Sequence, residues 1–397
     1  MPNRATDRGV TIVGVPLDNV TMEQAVQRVD SYIREGGFHQ IATANVNFLV
    51  NSLRYPELQN ILGSCDMVVP DGMPLLWISR AMHQPLRERV TGVDMIPHLA
   101  RLSAEKGYGI YLLGAIESSS AAAVAELERM HPGVRIVGRH CPPYLPLDEM
   151  DTADILRRIR AARPDILLVA FGNPKQELWL ARNRDRIHVP VCIGIGGSLN
   201  MIAGIVPRSP ERFQRLGVEW LYRASREPGR LIGRYLSDFC GLLLPLARQM
   251  LATARQGERC PLFEGAPVQL PGATLIPLSG GMSGFDCTEL IEQIERRRLG
   301  SSHVILDLAG LTYVDAVAVT HLIRLGSRLH RSGSGLWLVN ARPAVLRMLR
   351  GARIGSLVNL RPSVEDALQK IAALSAQEHY DGHEVLSGLH AKAFQTI

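Results

Sequence analysis

The sequence predicts an α/β protein with two sheets in succession, a mainly parallel sheet in the first two thirds and a small α/β domain after it. Three observations carry this. Short β-branched runs alternate with amphipathic helical stretches, the pattern of stacked strand–helix units. The 397 residues exceed one core and suit two to three domains of about 100 to 200 residues each. The texture also breaks twice, into an arginine-rich segment from Ile205 and into a glycine- and proline-bearing stretch over Ala252–Pro271.

The first part supplies strands at Thr11–Val15, Gln40–Ala42, Met67–Val69, Gly109–Leu113, Val134–Val137, Asp165–Ala170 and Val191–Gly194. Helices are predicted over Thr21–Arg34, Ser118–Met130 and Met150–Ala162; Thr21 and Gln24 have the spacing of a capping box, which satisfies two exposed amides. Arg208, Arg212, Arg215, Arg223, Arg226, Arg230 and Arg234 then crowd one segment, and an apolar run follows over Phe239–Ala247 that suits either a membrane interface or the core. The last domain has strands at Thr274–Pro277, Val304–Leu308 and Leu336–Asn340, and helices near Asp286–Arg298, Val317–Arg331 and Pro343–Leu349. The chain therefore divides into a core over 1–204, a basic helical appendage over 205–251, a linker over 252–271, a small α/β domain over 272–376 and a flexible tail over 377–397.

Composition narrows the partners. With 46% hydrophobic and 21% charged residues the chain is ordinary globular protein, and 5% aromatic residues are too few to line a stacking groove for single-stranded nucleic acid. A net charge of +6 favours phosphates or anionic lipid, and no recognition fold accompanies it that would point to nucleic acid. The six cysteines form no Cys-x-x-Cys pair and read as reduced and structural. No secretory leader or spanning segment is evident, so a cytoplasmic location is expected.

Five turns carry candidate chemistry. Val68-Val69-Pro70-Asp71-Gly72 runs a strand into a Pro-Asp-Gly turn; Asp71 is either a plain turn residue or a general base at the strand's C-terminal end, where open α/β sheets bind ligands. Thr43-Ala44-Asn45-Val46-Asn47 places short polar side chains at the same edge, as helix caps or ligand contacts. Leu113-Gly114-Ala115 opens a helix and can offer amides to a phosphate, although without the full Gly-x-Gly-x-x-Gly of a dinucleotide site. Phe171-Gly172-Asn173-Pro174-Lys175-Gln176-Glu177 packs more polar groups into one strand-to-helix turn than capping requires, and the glycines of Ile193-Gly194-Ile195-Gly196-Gly197 allow close backbone approach.

Taken in order, these motifs resemble the WecG/TagA/CpsF glycosyltransferase family from about Val10 to Arg234. Arg89-Val90-Thr91-Gly92-Val93-Asp94, Val206-Pro207-Arg208-Ser209-Pro210, Glu219-Trp220-Leu221-Tyr222-Arg223 and Glu227-Pro228-Gly229-Arg230 complete the match. The resemblance implies a Rossmann-like core and an inverting, metal-independent transfer of a hexose, such as N-acetylmannosamine or its uronic acid, from UDP to a polyprenyl-diphosphate-linked sugar. That acceptor places the protein peripherally on the cytoplasmic membrane face, at the inner leaflet. It maps the base onto Asp71 with Thr43 beside it, and the donor site onto Asn45, Arg89, Asp94, Gly114, Gly172, Asn173, Lys175, Gln176 and Gly196. Arg208, Arg223, Arg230 and Arg234 fall to the acceptor or membrane. No metal or other cofactor is expected, in keeping with the absence of Asp-x-Asp; helix N-termini and basic side chains would neutralise the leaving diphosphate.

The domain from Gly272 resembles a STAS domain of the anti-sigma-factor-antagonist type, on Val304–Leu308 and Val314-Asp315-Ala316-Val317-Ala318. Where the regulatory members carry a phosphorylatable serine after that Asp, this chain has Ala316, which excludes that switch and implies docking to a protein partner or to a second copy. The competing reading of the whole chain is a non-catalytic nucleotide-sugar sensor reporting through this domain.

Overall fold

The computed structural model describes residues 9–210, 212–213, 218–226, 228–255, 267–282, 303–314, 316–351 and 358–374. The chain divides into two compact units at Gln256/Gly257.

The first unit opens with a hairpin of β1 (Val10–Ile12) and β2 (Val15–Leu17). The single strand expected over Thr11–Val15 is thus broken, because Val13 and Gly14 take positive φ values of 43° and 86° and turn the chain back. The elements that follow are α1 (Met22–Glu35), β3 (His39–Ala44), α2 (Val46–Arg54), α3 (Pro56–Ser64), β4 (Met67–Pro70), α4 (Met73–Ala81) and α5 (Gly92–Lys106). Next come β5 (Gly109–Gly114), α6 (Glu117–Met130), β6 (Arg135–His140), α7 (Thr152–Ala162), β7 (Ile166–Ala170), α8 (Lys175–Arg182), β8 (Val191–Gly194) and α9 (Ser198–Ile202). The capping box at the start of α1 forms as the spacing predicts, with the Thr21 hydroxyl receiving the Gln24 amide and the Gln24 side chain receiving that of Thr21.

Six parallel strands, β3 to β8, form one sheet in the order β4-β3-β8-β7-β5-β6. Side chains alternate between its two faces, so Ile41, Ile110, Ile166 and Ile193 pack with Val29 of α1 and Leu99 of α5. On the other face Ala42 and Val68 meet Leu49 and Leu58 of α2 and α3, while Leu113, Leu167 and Val169 meet Ile159 of α7 and Trp179 of α8. A parallel sheet buried on both faces needs such near-continuous apolar strands. All C-terminal strand ends then share one edge.

Two helices form the appendage, α10 (Glu219–Arg226) and the 28-residue α11 (Pro228–Arg255). Ala252–Arg255, expected to open the linker, are the last residues of α11. Leu242 buries itself against the α2–α4 layer, and Gln249 clamps the β1–β2 hairpin by receiving the Val13 amide and donating to the Thr11 carbonyl, both at 2.8 Å. The run Phe239–Ala247 therefore packs on the core through one side and leaves another exposed. Its Leu242 is 5% exposed, whereas Ile232, Leu236, Phe239 and Leu243, one face at helical spacing, are 54 to 62% exposed. Among the described residues, no helix is long and apolar enough to cross a membrane.

The second unit carries β9 (Val268–Leu270), β10 (Ala273–Met282), β11 (His303–Val314), α12 (Ala316–Arg331), β12 (Leu336–Val339), α13 (Pro343–Gly351), β13 (Asn359–Leu360) and a last helix, α14, over 364–374. Val268–Leu270 falls within the expected linker yet pairs antiparallel with β10, since its backbone groups complete an edge of the sheet. The order β13-β12-β11-β10-β9 is otherwise parallel, and helices cover both faces: Leu322 and Leu349 pack on one side, Ala367 and Ile371 on the other. Ala318, near the start of α12, is buried. The helix expected near Asp286–Arg298 and the tail over 377–397 lie outside the described residues.

Candidate active site

The edge formed by the ends of β4, β3, β8 and β7 opens into a cavity of about 1400 Å³, roofed by the appendage. Its lining brings together Thr43, Asn45, Asp71, Arg89, Gly172, Asn173, Gln176, Gly196, Arg208 and Arg234. Asp71 arrives because β4 ends at Pro70 and its amide donates to the Ala44 carbonyl at 2.7 Å, which ties the turn to the neighbouring strand. Gly72 follows at φ 144°, a conformation open to glycine but costly for other residues, and lets α4 begin at once.

Several expected ligand contacts have structural tasks. The Thr43 hydroxyl donates to the Gly194 carbonyl at 2.9 Å and joins β3 to β8. Asn45 caps α2, its side-chain oxygen receiving the amides of Asn47 and Phe48. The amides of Gly172 and Gly196, expected to face a ligand, both donate to Gln176 Oε1, at 3.1 and 3.0 Å. Gln176 thus pins two glycine turns together.

The cations are embedded in carboxylates. Arg89 donates to Glu219 of α10 at 2.9 Å and lies 3.7 Å from Asp94, which also receives the Thr91 hydroxyl and pairs with Arg208. Asp94 accordingly orients two arginines and does not itself line the cavity. Arg234 is exposed, with its guanidinium 5.3 Å from the Tyr235 ring centroid. The side chains of Arg223 and Arg230 lie outside the described ones.

Besides Asp94, two further expected donor contacts are not among the cavity's lining residues. Gly114 ends β5, beyond β7 in the sheet, and Lys175 turns towards that side, donating to the Leu145 carbonyl beneath the Tyr144 ring. Burial pulls the Lys175 ammonium below the ordinary lysine range.

Glu177, Asn51, Asp238 and Glu219 were not picked out as site residues from the sequence. Glu177 is 1% exposed and receives N–H groups from Gln176 at 2.7 Å and Asn173 at 3.0 Å. Burial pushes its carboxyl up to about 8, a rise those two bonds and a backbone bond only partly offset. Between the ordinary value of 4.5 and about 8 the folded chain keeps a proton that the unfolded chain releases, so stability falls as pH rises through that window. Denaturant titrations from pH 5 to 8 should show a slope up to about 1.4 kcal/mol per pH unit steeper in the parent than in Glu177→Gln. Equal slopes would place the acid in the ordinary range.

A parallel α/β sheet with a carboxylate and arginines gathered at its C-terminal edge, roofed by a partly apolar helical appendage, defines an enzyme-like ligand-binding class of protein. The chain belongs to the glycosyl transferase WecG/TagA/CpsF family, whose model matches residues 10–256, and carries a STAS domain matched over 266–367. It is 30% identical over 258 residues to N-acetylglucosaminyldiphosphoundecaprenol N-acetyl-beta-D-mannosaminyltransferases of Staphylococcus aureus strains MW2 and NCTC 8325 / PS 47, covering 64% of this chain and 96% of each relative. A solved structure from Thermotoga maritima described as an anti-sigma factor antagonist is 11% identical and covers 27% of this chain and 93% of its own, with a TM-score of 0.26.

Proposed function

We propose that the cavity transfers an N-acetylhexosamine or related hexose from UDP to a polyprenyl-diphosphate-linked sugar, with Asp71 as general base. The observation that carries this reading is the cavity's two-sided chemistry. Asp71, Arg89 and Arg208 supply charge at the sheet edge, and Trp77, Trp220, Ile232 and Phe239 supply apolar wall beside it. A lipid diphosphate bearing a sugar has that same division. In the reaction, Asp71 takes the proton of the acceptor hydroxyl as its oxygen attacks the anomeric carbon from the face opposite the diphosphate. The anomeric C–O bond breaks, UDP leaves with the electron pair, and the configuration inverts.

Developing charge on the leaving diphosphate requires cations. Arg89 and Arg208 are placed for it, provided the diphosphate exchanges with Glu219 and Asp94. With guanidinium groups in that position no metal is needed; EDTA is expected to leave turnover unchanged, and metal-restored activity would sink this part of the proposal. The STAS domain is read as a docking module for a protein partner or a second copy.

Incubating the full chain with a panel of UDP-hexoses and polyprenyl-diphosphate N-acetylglucosamine, with mass spectrometry of released UDP and glycosylated lipid, tests the whole reading. Failure with every donor, while UDP-sugars still bind, would favour a nucleotide-sugar sensor.

A further inference from the structure

A continuous run of side-chain hydrogen bonds links the appendage to the sheet edge. It begins at Asp238 of α11, buried at 4% exposure, whose two carboxylate oxygens receive Asn47 Nδ2 at 3.3 Å each. Asn51 Nδ2 donates to Asn47 Oδ1 at 3.1 Å and to Asn173 Oδ1 at 2.7 Å. Asn173 Nδ2 donates to Glu177 Oε2 at 3.0 Å, and Gln176 Nε2 donates to Glu177 Oε1 at 2.7 Å. Gln176 Oε1 then holds the Gly172 and Gly196 amides.

The sense of every bond is dictated from the two ends. Backbone amides only donate, so Gln176 must turn its oxygen to the glycines and its nitrogen to Glu177. A carboxylate only accepts, so Asn47 must turn its nitrogen to Asp238, which forces Asn51 and then Asn173 into the orientations observed. The two senses meet at Glu177, whose two oxygens both accept once the carboxyl is ionised, above about pH 8. No member can be reversed without setting donor against donor or acceptor against acceptor, so the network selects a single geometry.

We infer that Asp238 and Glu177 are positioning residues: the docked α11 helix fixes Gln176 through this chain, and Gln176 holds the Gly172 and Gly196 turns at the cavity in one conformation. The catalytic consequence rests on the sugar-transfer reading above, whereas the coupling is a property of the unliganded protein. Removing the Asp238 carboxylate leaves Asn47 free to rotate, and the chain loses its anchored sense. Above about pH 8, where Glu177 is ionised, Glu177→Gln replaces an acceptor with an N–H that must face another N–H, so one bond breaks whichever way the new amide turns.

Amide hydrogen exchange on the full chain tests the coupling. Asp238→Ala should speed exchange at segments carrying Gly172 and Gly196 by about tenfold or more, and Asp238→Asn, which keeps one accepting oxygen, by less. Segments from β5 should not change. Unchanged exchange at the two turns, or a uniform rise across the chain, overturns the inference. If Asp238→Ala also strips protection from α11, Glu177→Gln decides the same question with the helix contacts intact, on the same two criteria. In transfer assays Asp238→Ala should raise KM for the donor more than it lowers kcat, and Asp238→Asn should recover part of the loss; a fall in kcat alone counts against positioning. Absence of transfer by the parent chain would refute the functional reading and leave the exchange result standing.

Discussion

Asp71→Asn is expected to lower sugar transfer by about 10² to 10⁴ while UDP binding persists. The substitution keeps the size and shape of the side chain and the backbone hydrogen bond to the Ala44 carbonyl that fixes the turn, so the cavity's geometry should survive. What it removes is the lone pair that accepts the hydroxyl proton in the transition state, a loss that falls on kcat. Isothermal titration with UDP beside the mass-spectrometric transfer assay separates the two effects. Full activity in Asp71→Asn would remove it from the role of base, and loss of UDP binding would make it a binding residue instead.

The second large effect concerns the appendage surface. Leu236 and Phe239 are each 62% exposed on α11, in register with Ile232 and Leu243. Their side chains leave the helix about a quarter-turn round from Leu242, which anchors it to the core. If this stripe enters a bilayer interface, replacing both by aspartate forfeits roughly 3 to 5 kcal/mol of apolar burial. Co-sedimentation with vesicles containing phosphatidylglycerol should fall by about a hundredfold in affinity or more. Because neither residue supports the core, thermal stability should stay near that of the parent. Undiminished vesicle binding by the double variant would show that the stripe is not the contact surface.

Much of this architecture was legible in the sequence. The periods of two and 3.6 located most strands, and the helices α1, α6, α7, α12 and α13, to within a few residues, and the Thr21/Gln24 spacing specified a cap that forms as drawn. These signals are local, set by burial of alternating or helical faces and by the needs of exposed amides. Asp71, Asn45, Gly172 and Gly196 could be placed at strand ends for the same reason. The first strand was misplaced because β-branched residues continue through Val13, where the backbone nevertheless turns.

Partners distant in sequence left no comparable trace. Arg89 meets Glu219 across 130 positions, and Asn47 meets Asp238 across 191. No window of local periodicity spans such separations. Gly114 and Lys175 illustrate the converse: each motif looked suited to the ligand, and the strand order β4-β3-β8-β7-β5-β6 set one beyond β7 while a contact with Leu145 drew the other to the same side.

The sequence by itself determined the alternation of strands and helices, the two domains and the identity of the turns that end the strands, because backbone preference and alternating burial are written residue by residue. Only the tertiary structure decided which of those turns share a cavity, that the glycine amides serve Gln176, and that one appendage helix both anchors to the core and leaves an apolar face exposed beside the cavity. Those outcomes depend on strand order and on matching donors to acceptors across the whole fold, conditions that no single stretch of chain can state.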